Sequence, residues 1–316
     1  MLPTYDQLPI DKKYPPKTAW GVWGDDDNYG TLNLLTEERV LSASRSIHRG
    51  AIFPLNWKLE LPKTPFFERS AIQHEYKPMA LDSLAFDDVY RDFNTQSSSQ
   101  WDGLRHVAHM PSKLFYNGVQ PEHVAKGSSI SEGRLGIHHA ARRGIAGRAV
   151  LLDYGRWAEK HRPSFDPLER IEITVQELDE VAKAQSVMFE EGDILLLRTG
   201  WIQAYEKNHD KITDLMNPPA AGIKACEDTY RWLWNNHFAA VASDSIAFEA
   251  FPVHNWEDSC HSFLLGGIGC FIGEMFDLDK LAQDSADDNN YVSFFTSAPL
   301  NKENGVATPP NAICIK

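Results

Sequence analysis

Two unbroken apolar runs, Ala149-Val150-Leu151-Leu152 and Ile194-Leu195-Leu196-Leu197, each end in a charge, Asp153 and Arg198. A run that is apolar at every position leaves no wet face, so it predicts a strand covered on both sides, as in parallel sheets. Between them Thr174-Val175-Gln176-Glu177 forms a capping box, in which hydroxyl and carboxylate satisfy the free N–H groups of a first helical turn; it opens a helix reaching about Gln185. Strand, helix and parallel strand together demand a sheet with helices packed on it, which places the chain in the α/β class. The pattern continues with a helix from about Ala220 to Asn236 behind Pro218-Pro219, a strand Ala239-Ala240-Val241-Ala242 leading to Asp244, and a strand Ile268-Gly269-Cys270-Phe271-Ile272 leading to Glu274. Charges at such strand ends are where α/β proteins place ligands.

The first third is organised differently. Thr36 to His48 has the spacing of an amphipathic helix with Thr36 as its cap, and Leu55 to Leu61 alternates apolar and polar residues as a half-wet strand does. Residues 62–135 are rich in Pro, Ser, Gln, Asp and His and predict loops carrying polar groups inward. Neither a repeat nor a linker divides the chain, so the expectation is one mixed-sheet domain over residues 51–316, with residues 1–50 as an extension packed on it or on a neighbouring subunit.

Charge and composition narrow the function. Over 316 residues, 31 Lys and Arg against 44 Asp and Glu leave a net charge of −13, which argues against nucleic acid and anionic membrane as partners. Nine Trp, ten Tyr and sixteen Phe need a core or a pocket. Cys226, Cys260, Cys270 and Cys314 form no C-x-x-C pair and are expected as free thiols, which together with the lack of an apolar leader or spanning segment gives a cytoplasmic expectation. Gly30, Gly147 and Gly266-Gly267 do not compose a dinucleotide-binding G-x-G-x-x-G.

The densest polar cluster is Gln96-Ser97-Ser98-Ser99-Gln100-Trp101-Asp102-Gly103-Leu104-Arg105-His106-Val107-Ala108-His109. Asp102 and His106 offer a carboxylate and an imidazole, either of which binds metal or moves protons near neutral pH. His109, His138 and His139 read as structural histidines. Cys260 beside His261 is not a nucleophilic dyad, because neighbours on an extended segment point to opposite faces. Trp101, Tyr116 and Asn117 are candidates to wall an aromatic substrate pocket, with core packing as the alternative for Trp101.

Read with Trp23-Gly24, Gly30-Thr31-Leu32-Asn33-Leu34, Phe115-Tyr116-Asn117-Gly118, Gly147 to Asp153, Gly192 to Trp201, Asp244, His261, Glu274 and Pro309-Pro310-Asn311-Ala312, the cluster resembles the cyclase family of metal-dependent hydrolases, which includes kynurenine formamidases and isatin hydrolases. The resemblance implies a swivelling β/β/α fold, a homodimer or homotetramer, and hydrolysis of a small cyclic or aryl amide, lactam or lactone by metal-activated water. In the family motif H-x-x-x-H-x-D-x-x-x-H, Asp102 matches the metal-binding Asp and His106 the general acid/base, while Gln96 and Gln100 stand where two metal-binding His belong. His261 and Glu274 match the residues that complete the site.

The implied metal set is therefore Asp102, His261 and Glu274 with Gln100 alongside, and the implied catalytic set is His106, His261 and Glu274. The ion expected is a divalent one, manganese or zinc; the weaker amide donor of glutamine moves the set toward Mn²⁺ or Mg²⁺. Two alternatives stay open. Without an ion, the two imidazoles and their carboxylates suit a metal-independent cyclase, dehydratase or isomerase of an aromatic metabolite; a ligand-binding relative without catalysis is the other.

Overall fold

The structure, a computed structural model, describes residues 2–79 and 84–316. Its strands in chain order are β1 (Ile52–Pro54), β2 (Gln73–Pro78), β3 (Phe86–Arg91), β4 (Gln100–Asp102), β5 (Ile145–Asp153), β6 (Glu172–Ile173) and β7 (Ile194–Arg198). They continue with β8 (Gly222–Ile223), β9 (Ala240–Ser243), β10 (Phe271–Glu274), β11 (Val292–Ser297), β12 (Ala307–Thr308) and β13 (Ala312–Ile315). The helices are α1 (Glu37–Ala43), α2 (Pro121–Ala125), α3 (Ile137–Arg143), α4 (Tyr154–His161), α5 (Val175–Ala184), α6 (Trp201–Asn208), α7 (Glu227–Asn235) and α8 (Asp279–Asp288).

Nine strands form one mixed sheet in the order β1-β13-β11-β5-β7-β9-β10-β4-β12. The apolar runs make its parallel centre, with β5, β7, β9 and β10 paired in register Leu151↔Leu196, Leu196↔Ala242 and Ala242↔Gly273. All three connections between these strands carry helical segments that cover the sheet, and the side chains of Leu151, Leu196 and Val241 are buried in the resulting core. The capping box forms as the sequence indicates: Thr174 accepts from the Glu177 N–H and Glu177 accepts from that of Thr174. This is the single mixed α/β domain expected. Among the described residues no helix is long and apolar enough to cross a membrane.

Three local expectations are corrected. Residues 55–61 are not a strand beyond a bridge at Asn56 to Phe276; the strand is β1, just before them. Leu55 and Trp57 are buried as the alternation requires, but their N–H groups go to the Ala312 carbonyl and the Ser99 hydroxyl, so no partner strand is needed. The helix after Pro218-Pro219 begins only at Glu227, because Ala220 exchanges backbone hydrogen bonds with Phe251 and β8 pairs with β6. The segment 62–135 contains, besides loops, the solvent-exposed β2–β3 hairpin and the fully buried β4.

The strand-end charges also have structural work. Arg198 pairs with Asp153 at 2.8 Å and with Asp279 at 2.7 Å. Asp244 accepts from the N–H groups of Thr199, Gly200 and Trp201 and so seats the first turn of α6. Glu274, at the end of β10, is different: it faces a cleft.

Candidate active site

The centre is built on the short strand β4. A pleated strand sends alternate residues to opposite faces, so Gln100 and Asp102 share one face while Trp101 takes the other. Antiparallel pairing with β10 sets Gln100 opposite Glu274 and Asp102 opposite Ile272, bringing both acids to one side of the sheet. Beyond β4 the His106 N–H donates to the Gly103 carbonyl at 2.9 Å, and this tight turn folds the imidazole back until Nε2 lies 3.9 Å from Asp102 Oδ1. His261 arrives from the other side, at the start of a helical turn that continues as a π-helix over Ser262–Ile268. Its Nε2 is 3.1 Å from Glu274 Oε1 and 3.8 Å from Asp102 Oδ2.

Glu249 fixes that ring. The carboxylate accepts from His261 Nδ1 at 2.8 Å and from its backbone N–H at 3.2 Å, and it is fully buried. Sequence reasoning missed Glu249, although one acid inside Ile246-Ala247-Phe248-Glu249-Ala250-Phe251 signals a buried charge that must have a partner. Arg69 was missed as well. It donates from Nη1 to the Gln96 carbonyl at 2.5 Å and to Gln100 Oε1 at 3.4 Å.

The two glutamines turn their NH₂ groups inward, because carboxylates attract donors. Gln96 Nε2 donates to Asp102 Oδ1 at 2.7 Å, and Gln100 Nε2 donates to Glu274 Oε2 at 2.6 Å. The Gln100 oxygen faces Arg69 and its amide nitrogen the centre, while Asp102, His106 and His261 bring their donor atoms together.

Charges in this centre are tightly balanced. Burial pushes the Asp102 carboxyl up, but His106, His261 and Arg69 outweigh it and hold it at about 2. For Glu274 burial prevails, helped by the charge of Asp102, and its carboxyl is pushed up to about 7. Burial also lowers the His106 imidazole, whereas at His261 the burial effect is overcome by Glu249, Asp102 and Glu274, which raise it well above its ordinary value.

His106, His261 and Glu274 line a cleft of about 350 Å³, within the size range of small-molecule sites. Phe67, Phe251 and Trp256 line it as well. The expected substrate residues are elsewhere. Trp101 is fully buried behind the sheet against Phe276 and Phe295, with Nε1 donating to Ser297 Oγ at 3.0 Å. Tyr116 and Asn117 pin the N-terminal segment: the Tyr116 hydroxyl donates to Asp27, and Asn117 bonds Gly21 and Gly24. His109 bonds Ser112 and meets the edge of Trp20, while His138 and His139 lean on each other 4.1 Å apart. Cys260 is buried in a helical rather than an extended segment, and burial with the charge of Glu249 pushes its thiol far up, so it is no nucleophile.

A family model described as putative cyclase matches residues 54–250. The chain belongs to the cyclase family. The crystal structure of a novel cyclase is similar over 95% of this chain and 99% of its own, with a TM-score of 0.83 and 30% identity. Isatin hydrolase A from Ralstonia solanacearum shares the fold at a TM-score of 0.62 and 15% identity, over 89% of this chain and 98% of its own. An isatin hydrolase bound to the product analogue thioisatinate does so at 0.58 and 16%, over 88% and 94%. No curated protein sequence matches this chain.

In this cyclase-family protein, Asp102, His106 and His261 each present one donor atom within 4.8 Å of the others, a candidate site for a divalent ion. Ligands about 2.0–2.2 Å from an ion lie roughly 3–4 Å apart, the separations seen from Asp102 to both imidazoles. Glu249 on Nδ1 of His261 leaves Nε2 for the centre, the arrangement by which an outer carboxylate orients a ligating imidazole in metal sites. The donor set fits a divalent cation.

Proposed function

We propose that the protein is a hydrolase of a small cyclic or aryl amide, lactam or lactone, using water activated at the Asp102-His106-His261 centre. The observation that supports this most is the opening of that donor cluster directly onto an aromatic-walled cleft. Asp102, His106 and His261 would hold the ion, with Glu274 beside them. A divalent ion bound there supplies Lewis acidity, polarising a carbonyl and lowering the pKa of water. Manganese or zinc is the proposed ion, the two imidazoles suiting zinc and the carboxylates of Asp102 and neighbouring Glu274 suiting manganese.

The chain's own residues do the rest. Glu249 keeps His261 in one tautomer and orientation. Glu274, whose carboxyl is pushed up by burial and by the charge of Asp102 and which lines the cleft, takes a proton at a carboxylate oxygen and returns it to the leaving nitrogen or oxygen. Gln96 and Gln100 hold the two central acids in place. Hydrolysis of formanilides, lactams and aryl lactones, abolished by chelation and restored by Mn²⁺ or Zn²⁺, is the expected result; activity indifferent to chelator contradicts it.

The inward amides of Gln96 and Gln100 favour one rival, a metal-independent cyclase, dehydratase or isomerase. There the His261 imidazolium, held between Glu249 and Glu274, would donate a proton from Nε2 while His106 accepts one. Chelator-resistant turnover lost in His261→Gln would select it. We further propose a cytoplasmic homodimer or homotetramer whose residues 1–50 form an extension to a catalytic domain over residues 51–316. Light scattering tests the assembly.

A further inference from the structure

Arg69 is placed with unusual care for a residue of an irregular loop. Phe67 and Glu68 before it both lie in the left-handed backbone region, at φ 61° and 55°, a conformation that L side chains adopt only when their surroundings impose it. The surroundings here are the Phe67 N–H on the Leu215 carbonyl, the Arg69 N–H on the Phe66 carbonyl, and the Phe67 ring against Phe251. The turn swings Phe67 and Arg69 together into the cleft, where the guanidinium carbon sits 5.0 Å over the centre of the Phe67 ring.

Among the described residues Arg69 is the sole Lys or Arg lining this cleft. Only its Nη1 is engaged, by two neutral oxygens, and among the described residues no carboxylate pairs with it. The nearby acids are already served: Asp102 is fully buried and accepts from Gln96, and the two Glu274 oxygens face Gln100 and His261. A half-buried guanidinium stacked on an aromatic ring, with Nη2 and Nε unspent, has the planar donor edge that binds carboxylate at two points.

We propose that Arg69 makes the cleft selective for a planar aromatic substrate bearing a carboxylate, the ring lying among Phe67, Phe251 and Trp256 and the acid on the free guanidinium edge. This deepens the hydrolase reading by naming its substrate class, and it rests on that reading only in taking the cleft for the substrate site.

The test is binding rather than turnover, so that its failure is separate from failure of hydrolysis. Full-length protein is used as purified, and the Arg69 variants, which leave the residues proposed to hold an ion unchanged, separate the guanidinium from an ion as the carboxylate receptor. Benzoate and its neutral isostere benzamide are then titrated by calorimetry and ligand-observed NMR into the wild type, Arg69→Gln and Arg69→Lys. The expected result is benzoate binding at least about tenfold tighter than benzamide in the wild type, no such preference in Arg69→Gln, and partial preference in Arg69→Lys. Equal binding of both probes, no binding of benzoate, or an undiminished preference in a folded Arg69→Gln overturns the proposal. Should Arg69→Gln not fold, the preference in the wild type and its reduction in Arg69→Lys decide.

Discussion

Glu249 and His261 are joined twice, once through the ring at Nδ1 (2.8 Å) and once through the backbone N–H (3.2 Å). The double link fixes where the ring stands and which of its nitrogens meets Asp102 and Glu274. Glu249→Gln keeps the size but removes the charge. Metal affinity or activity is expected to fall about 10–100-fold, and the His261 ring to lose its strongest reason for holding a proton. Histidine-detected NMR across pH checks the second effect, and an unchanged His261 titration would contradict it.

His106 lies in the donor cluster and at the cleft wall; the proposed function makes it a ligand, where the family motif would make it the proton carrier. His106→Ala should lower turnover by roughly 10²–10⁴-fold in either role. The roles separate on metal content: loss of the ion marks a ligand, retention of the ion with lost turnover marks a proton carrier.

Trp101 belongs to the core rather than to the substrate pocket. Trp101→Ala is expected to cost about 3–5 kcal/mol of stability by denaturant titration, the usual result of emptying a large buried side chain. Tyr116→Phe, which removes only the hydroxyl on Asp27, should leave KM unchanged. A selective rise in KM for Tyr116→Phe would return that residue to the pocket.

Burial holds the His109 imidazole down to about 4. Its ordinary value near 6.5 governs the unfolded chain, so between these two values the unfolded state binds more protons than the folded one. Stability contributed by neutral His109 is therefore fully present above pH ~6.5 and is lost as pH falls toward ~4, by a few kcal/mol at most. His109→Gln should flatten the acid side of the stability profile measured by thermal unfolding, and an unaltered slope would contradict the burial argument.

The parallel core was legible because its short runs are apolar at every position, end in charges and are separated by a capped helix, a combination that strands covered on both faces satisfy. The capping box at Thr174 and Glu177 was legible because it depends only on residues three apart. Asp102, His106, His261 and Glu274 converge in space, although their sequence separations carry no sign of it without the family motif. The alternation at Leu55 to Leu61 misled, since burial alternates in any extended segment and strand pairing depends on a neighbour far along the chain. Trp101 was ambiguous for the same reason: the face of β4 it occupies is set by pairing with β10. Arg69 could not be read at all, because what places it is a left-handed turn at Phe67 and Glu68, residues that do not announce such a backbone.

The most direct test of a divalent-metal centre is the metal content of protein purified without chelator or metal-affinity resin, measured by plasma mass spectrometry beside Asp102→Ala. The account predicts close to one manganese or zinc per chain in the wild type and its loss in the variant. A folded wild type that carries no such ion and takes up none from Mn²⁺ or Zn²⁺ would contradict it and leave His106 and His261 as proton-transfer groups.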